Sequence, residues 1–267
     1  MFTYSEGGLV LSFFDWVQLI LNQYGSMLVK GTGITILLAI VGTGVGFLIG
    51  LLIGVYKTIP LRDEDPAIKR ILYKIFNFIL SAYIEIFRST PMMVQAMVIF
   101  YGIAYAFSIR LNVITAGMFI ISINTGAYMA EIVRGGIISV DKGQFEATHS
   151  IGMTHFQSML YVILPQAIRN ILPATGNQFI INIKDSCVLS VIGVTELFFQ
   201  TKTAATATFQ TFPSYFIACI VYFVLCFSIT QALRYLENKM DGSDTYTIYG
   251  TEPVINGADT LKRGDVK

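Results

Sequence analysis

Glu146, Gly152 and Pro165 stand in a polar stretch that interrupts an otherwise apolar chain. The stretch reads Gly143-Gln144-Phe145-Glu146-Ala147-Thr148-His149-Ser150-Ile151-Gly152 and leaves through Val162-Ile163-Leu164-Pro165. These residue types suit docking rather than bond-making. Phe145, Ile151 and Met153 can serve as apolar anchors, and a solvated loop would not need them. Glu146 can pair with a cation at the edge of a groove. Gly152 permits a sharp turn between two short helices. Pro165 falls where a helix begins, a position that tolerates a missing N–H. Catalytic and metal chemistry find no such footing. His149 and His155 are the only histidines, and their six-residue gap does not put them on one helical face as an i, i+4 metal pair would be. No Gly-x-x-x-x-Gly-Lys-Ser/Thr segment is present, so this chain is not expected to hydrolyse ATP. No nucleophile with a neighbouring base stands out.

The elements that must position this loop are membrane helices. The chain is 54% hydrophobic and only 13% charged, against about 25% charged residues in a soluble domain. Lipid is its expected surroundings. A net charge of +1 gives no reason to expect a nucleic-acid partner. Met1 to Gly8 shows no cationic region leading into an apolar run, so no cleavable signal peptide is expected. Cys187, Cys219 and Cys226 lie in apolar segments without metal spacing and read as small buried hydrophobes.

A spanning helix needs about 20 predominantly apolar residues. Residues 33–56 form the clearest span, with Gly42, Gly46, Gly50 and Gly54 on one face where another backbone can approach closely. Residues 9–24 carry Asp15, Trp16 and Gln18 and read as a helix lying on the membrane, with Trp16 as its anchor and a sixth span as the alternative. Residues 67–87 read as an amphipathic helix on the cytoplasmic face, after the acidic cluster Asp63-Glu64-Asp65. Spans are expected at 91–109, 111–130, 166–193 and 214–233, with an external connection at 196–213. Lys and Arg concentrate in 57–88 and 134–169, which puts the N-terminus outside, the 141–165 loop inside and the C-terminus inside. The expected organisation is an interfacial segment at 1–28, a transmembrane domain at 29–239 and a flexible cytoplasmic tail at 240–267.

The loop resembles the EAA loop of ATP-binding-cassette (ABC) importer permeases: Glu-Ala-Ala, three residues, Gly, nine residues, Ile-x-Leu-Pro. Glu146, Ala147, Gly152, Leu164 and Pro165 fall in register, with Thr148 for the second Ala and Val162 for the Ile. Tyr83-Ile84-Glu85-Ile86-Phe87-Arg88-Ser89-Thr90-Pro91 is similar to a segment of the polar amino acid permeases, with Ser89 for their usual Gly. So is Ala127-Tyr128-Met129-Ala130-Glu131-Ile132-Val133-Arg134-Gly135-Gly136-Ile137. So too is Lys184-Asp185-Ser186 followed by Val191-Ile192-Gly193-Val194 and Glu196-Leu197, with Cys187 at a usual Ser position. The match runs over about 30–237. It implies an all-α, type I importer permease with about five transmembrane helices and a cytoplasmic coupling-helix loop. It also implies a histidine/glutamine/arginine-type substrate, a second permease subunit, ABC ATPase subunits that bind ATP and Mg, and an extracytoplasmic substrate-binding protein. This chain would be a transport subunit without a cofactor of its own.

Intramembrane ionisable groups are functional suspects by default. Glu131 and Arg134 share a helical face and can either steady the helix end as an ion pair or serve transport. Lys184 and Asp185 are adjacent and point in different directions. A zwitterionic amino acid needs both an acceptor and a donor, so a polar cavity near Asn124, Tyr128, Asn182 and Asp185 is chemically apt, though no spacing rule brings these residues together. An ion-coupled secondary amino acid transporter is the rival reading. Such proteins usually show internal repeats and are larger, and no repeat is visible here.

Overall fold

The computed structural model describes residues 11–61 and 66–240. Of the expected tail at 240–267, Met240 ends the last helix, and 241–267 lie outside the described residues, as does the acidic cluster Asp63-Glu64-Asp65. Among those described there is no strand, and nine α-helices follow one another: α1 (Phe13–Tyr56), α2 (Ala67–Ser89), α3 (Met92–Phe107), α4 (Val113–Ile138), α5 (Lys142–Ser150), α6 (His155–Ser158), α7 (Leu164–Asp185), α8 (Leu197–Thr208) and α9 (Thr211–Met240).

The centre of the fold is the α1–α4 pair. Gly42, Gly46, Gly50 and Gly54 are buried on one face of α1, as their four-residue spacing predicts. A Cβ at Gly42 would lie 2.8 Å from Ile121, one at Gly46 2.7 Å from Thr125, and one at Gly54 2.7 Å from Val133. The absence of side chains on that stripe lets the two helices approach closely, so van der Waals contact replaces the hydrophobic drive that lipid cannot supply. Leu38, Ala116, Ile120 and Ile121 continue the seam towards Leu189, Ile192 and Val194.

α1 differs from its expectation. No break separates an interfacial segment from a span, and the helix runs unbroken through the 28/29 boundary for 44 residues, about 66 Å at 1.5 Å per residue. Its N-terminal half is part of the same body. Ile20 and Leu28 are buried with Leu197, Ala204 and Ile217, and the Phe13 ring lies 5.3 Å from that of Phe216. The polar residues Asp15, Trp16 and Gln18 imitated a surface helix, but Asp15 is a capping group, accepting from the Ser12 N–H at 2.8 Å.

By length and composition, α1, α4 and α9 can each cross a membrane. The α2–α3 pair, bent by 115°, adds a fourth if taken as one broken span. The expected span at 166–193 corresponds to α7. It is long enough at 22 residues, but Arg169, Asn170, Asn177, Gln178, Asn182, Lys184 and Asp185 make it too polar to pass as an apolar span. The 196–213 connection is itself helical. Glu196 caps α8, its carboxylate accepting from Phe199 N–H at 2.7 Å and Phe198 N–H at 2.8 Å. Tyr222 of α9 donates to the same carboxylate at 3.1 Å. Burial holds the Glu196 carboxyl above the usual carboxylate range, and these hydrogen bonds offset only part of the rise.

Candidate coupling loop and transport cavity

The loop after α4 folds into two short helices joined by a turn. Asp141 caps α5 by accepting from Gly143 N–H at 2.6 Å. α5 ends at Ser150 with Ile151 as its C-cap, and Gly152 takes φ +81, a conformation that a side chain would strain. Thr154 and Gln157 then form a capping box that starts α6. The loop is therefore shaped by its own hydrogen bonds. It is also seated: Phe145 packs on Val133, Ile137, Val140, Met159, Ile163, Ala167 and Ile171, the joined ends of α4 and α7. Asn170 donates to Ser139 Oγ at 2.9 Å, adding a polar tie between α7 and the end of α4.

Glu146, Ala147 and Gly152 are exposed on this loop. Ile151 stands 76% exposed. Phe145 and Leu164 face inward, against the expectation of Phe145 as a partner anchor, because the ends of α4 and α7 need an apolar wedge between them. Phe156, at 73% exposure, is an apolar candidate that spacing alone did not single out. Pro165 stands in the first turn of α7, as its spacing predicts. The chain is already helical and passes through a π-helical turn at Met159–Ile163 just before it. A proline inside a helix cannot donate its N–H and crowds the preceding turn, and a wider turn relieves both.

The second site is a cavity of about 300 Å³ between the α2–α3 bend, α4 and α7, and Asn124, Tyr128 and Asp185 line it. The structure thus brings together three of the residues that sequence could not connect. Asn124 and Tyr128 are one turn apart on α4. Asp185 comes from the last residue of α7, and its neighbour Lys184 faces the other way, into an apolar groove of about 450 Å³ with Cys187, Cys219 and Cys226. Those cysteines are not buried: Cys219 is exposed and the other two are half-buried, because α9 packs by only part of its surface. The Arg88 guanidinium lies 5.7 Å from the Tyr128 ring centroid, a cation–π contact. Thr90 and Gln178 also line the cavity. Gln178 was legible in principle, since 178 and 185 share a helical face seven residues apart.

Two expected pathway residues stand elsewhere. Asn182 is buried behind the cavity wall, where its amide donates to Thr43 Oγ1 of α1 at 2.8 Å and accepts from Thr125 Oγ1 of α4 at 3.0 Å. A side chain between helices meets its hydrogen-bonding needs from neighbouring hydroxyls rather than from a pore. Glu131 pairs with Arg134, Nη2 to Oε2 at 2.8 Å, and does not line the cavity. Of its two open readings, the geometry matches the ion pair.

A helical membrane body with a polar cavity and a braced, exposed loop has the build of a transport subunit. Residues 67–242 match the family described as binding-protein-dependent transport system inner membrane component. The chain is 35% identical over 215 residues to the glutamine transport system permease protein GlnP of Escherichia coli strain K12, covering 80% of this chain and 93% of that one. It is 34% identical over 214 residues to the putative glutamine transport system permease protein GlnP of Rickettsia typhi, covering 80% and 92%. A crystal structure of an amino acid ABC transporter with histidines superposes with a TM-score of 0.73 at 37% identity, over 86% of this chain and 100% of that one. The inward-facing MetNI methionine ABC transporter shares the fold with a TM-score of 0.65 at 20% identity. The chain belongs to the family of binding-protein-dependent inner membrane transport components. It is a multi-pass permease of an ABC importer, with ATP hydrolysis on a separate subunit. The ion-coupled alternative finds no support.

Proposed function

We propose that this permease carries polar amino acids through the cavity between α4 and α7, and that the 141–165 loop transmits the motion of an ATPase to those helices. The observation that carries the reading is the meeting of Asn124, Tyr128 and Asp185 in one polar cavity. An amide, a phenol and a carboxylate offer a zwitterion both acceptors and donors while apolar helices surround them. The names of the relatives point to the same substrate class. For coupling, Glu146, Ala147, Ile151 and Gly152 form the outward surface, while Leu164 packs inward at the start of α7 and Pro165 stands exposed beside it. The working unit would comprise two permease subunits, identical or paralogous, ATPase subunits that bind ATP and Mg, and an extracytoplasmic binding protein.

Asp185→Asn separates transport from architecture. It keeps the shape and removes the charge, so normal assembly with impaired uptake or altered amino acid preference is expected in the reconstituted complex. Asn182→Ala is its structural counterpart. It leaves Thr43 and Thr125 without their partner, at about 1–3 kcal/mol per unsatisfied buried group, and lowers the yield of folded complex. Normal uptake kinetics and selectivity in Asp185→Asn would mean that the substrate takes another route.

The basic stretches at 57–88 and 134–169 support an orientation with the N-terminus outside and the C-terminus and coupling loop in the cytoplasm. Cysteines introduced at Ser5 and Ser243 test this: position 5 should label from the outside and position 243 from within. Labelling of position 5 only from the cytoplasmic side reverses the topology.

A further inference from the structure

The cavity has a hydrogen-bonding polarity, and its origin lies one layer behind the wall. The chain turns by 115° between α2 and α3 at Thr90-Pro91, and a helix end leaves its last carbonyls without intrahelical donors. Gln95, buried in the first turn of α3, folds back onto them. Its Nε2 lies 3.0 Å from Phe87 O, 2.9 Å from Thr90 O and 2.7 Å from Thr90 Oγ1. Carbonyl oxygens only accept, and the Thr90 hydroxyl already donates to Ile86 O at 2.7 Å. Three acceptors converge on this point, so only the nitrogen end of the Gln95 amide can face them. Its Oε1 is thereby turned to α4, where Asn124 Nδ2 donates to it at 2.9 Å. Phe87 O lies 3.4 Å from the same Nδ2. Flipping either amide would set oxygen against oxygen, so neither can flip.

We infer that Gln95, which does not itself line the cavity, is a positioning residue that fixes Asn124 as an acceptor towards the cavity. Asn124 has spent its donor on Gln95 and Phe87, and Oδ1 is what remains for a ligand. With the Asp185 carboxylate on the same cavity, Asn124 and Asp185 form an acceptor patch that takes the ammonium end of the amino acid, while the Tyr128 phenol and Gln178 amide keep donors on the wall. The order of control runs from the backbone carbonyls of the bend, through Gln95, to Asn124. The inference rests on the cavity being the substrate path.

The test is a double-mutant cycle in the full importer complex, reconstituted with its ATPase and binding protein, with radiolabelled L-glutamine as the probe. Gln95→Leu frees the Asn124 amide to rotate. Maximal uptake should fall about ten-fold, the scale of one lost hydrogen bond to a charged group, with little change in the half-saturating concentration set by the binding protein. Adding Asn124→Asp to Gln95→Leu should restore much of the rate, because a carboxylate shows the cavity an oxygen in either orientation. Asn124→Asp alone should impair uptake, because it opposes an oxygen to Gln95 Oε1. This reversal of sign is the signature of positioning, and a merely structural Gln95 would not produce it. Gln95→Met, close in volume, stands in where Gln95→Leu assembles poorly. Near wild-type uptake in the Gln95 variants, or no gain from Asn124→Asp, overturns the inference. If Asp185→Asn impairs uptake while the cycle shows no coupling, the cavity reading stands and the role of Gln95 alone falls.

Discussion

Glu146→Lys is expected to strip the ATPase from the membrane complex while leaving the permease inserted and folded. The side chain is exposed on α5, so the helix does not depend on it for packing. The loop is held by the Asp141 cap, by the Thr154–Gln157 capping box and by the Phe145 wedge. On the proposed coupling role, the Glu146 carboxylate would pair with a cationic groove edge of the ATPase, and a cation there would oppose it. Like-charge juxtaposition at an interface costs about 2–5 kcal/mol, which at about 1.4 kcal/mol per decade weakens docking by more than ten-fold. Co-purification of the ATPase and substrate-stimulated ATP hydrolysis report the effect. If both survive the substitution unchanged, this loop does not couple.

The other large effect lies in the α1–α4 seam. A Cβ at Gly50 would meet Met129 Cβ and would come within 2.6 Å of the Met129 carbonyl carbon and 2.7 Å of the Ala130 nitrogen. Backbone atoms in a helix cannot move aside as the end of a side chain can. Gly50→Val therefore forces the two helices apart along their whole contact, at about 3 kcal/mol or more, the upper range for overpacking. The expected result is loss of folded complex in a thermal melt and in gel-filtration yield. Gly44→Val is the control. It sits on the same helix, exposed, with nothing within 4 Å of the added Cβ, and should behave as wild type. Wild-type stability in Gly50→Val would show that the helices do not approach this closely.

These two sites were the most legible parts of the chain, for different reasons. Glycines at a four-residue interval have few uses in lipid other than close packing, so composition and period together were enough. The shape of the 141–165 loop, two short helices about the Gly152 turn, was legible from its residue types. The cavity was half legible: Asn124, Tyr128 and Asp185 could be named as chemically apt, but whether a polar side chain on a packed helix faces a cavity or the next helix depends on its neighbours. Asn182 illustrates the failure. It lies three residues from Asp185 and differs from it in facing Thr43 and Thr125. Gln95 was hidden for the opposite reason. It sits in an apolar run, and its importance comes from carbonyls left bare by a bend that no local pattern announces. The continuity of α1 was obscured because Asp15 and Trp16 look interfacial in isolation, while the surfaces that hold that half of the helix, on α8 and α9, are nearly two hundred residues away.

The wide turn before Pro165 also fixes an angular phase. A π-helical turn takes one residue more than an α-helical one, and each residue of an α-helix is worth about 100° of rotation. A helical wheel drawn at a single period from His155 to Asp185 is therefore out of step by about that amount at its far end. The side chains of α6 and those that α7 turns to the cavity belong to two wheels offset by one residue, and Asp185 reaches the cavity wall from the second of them.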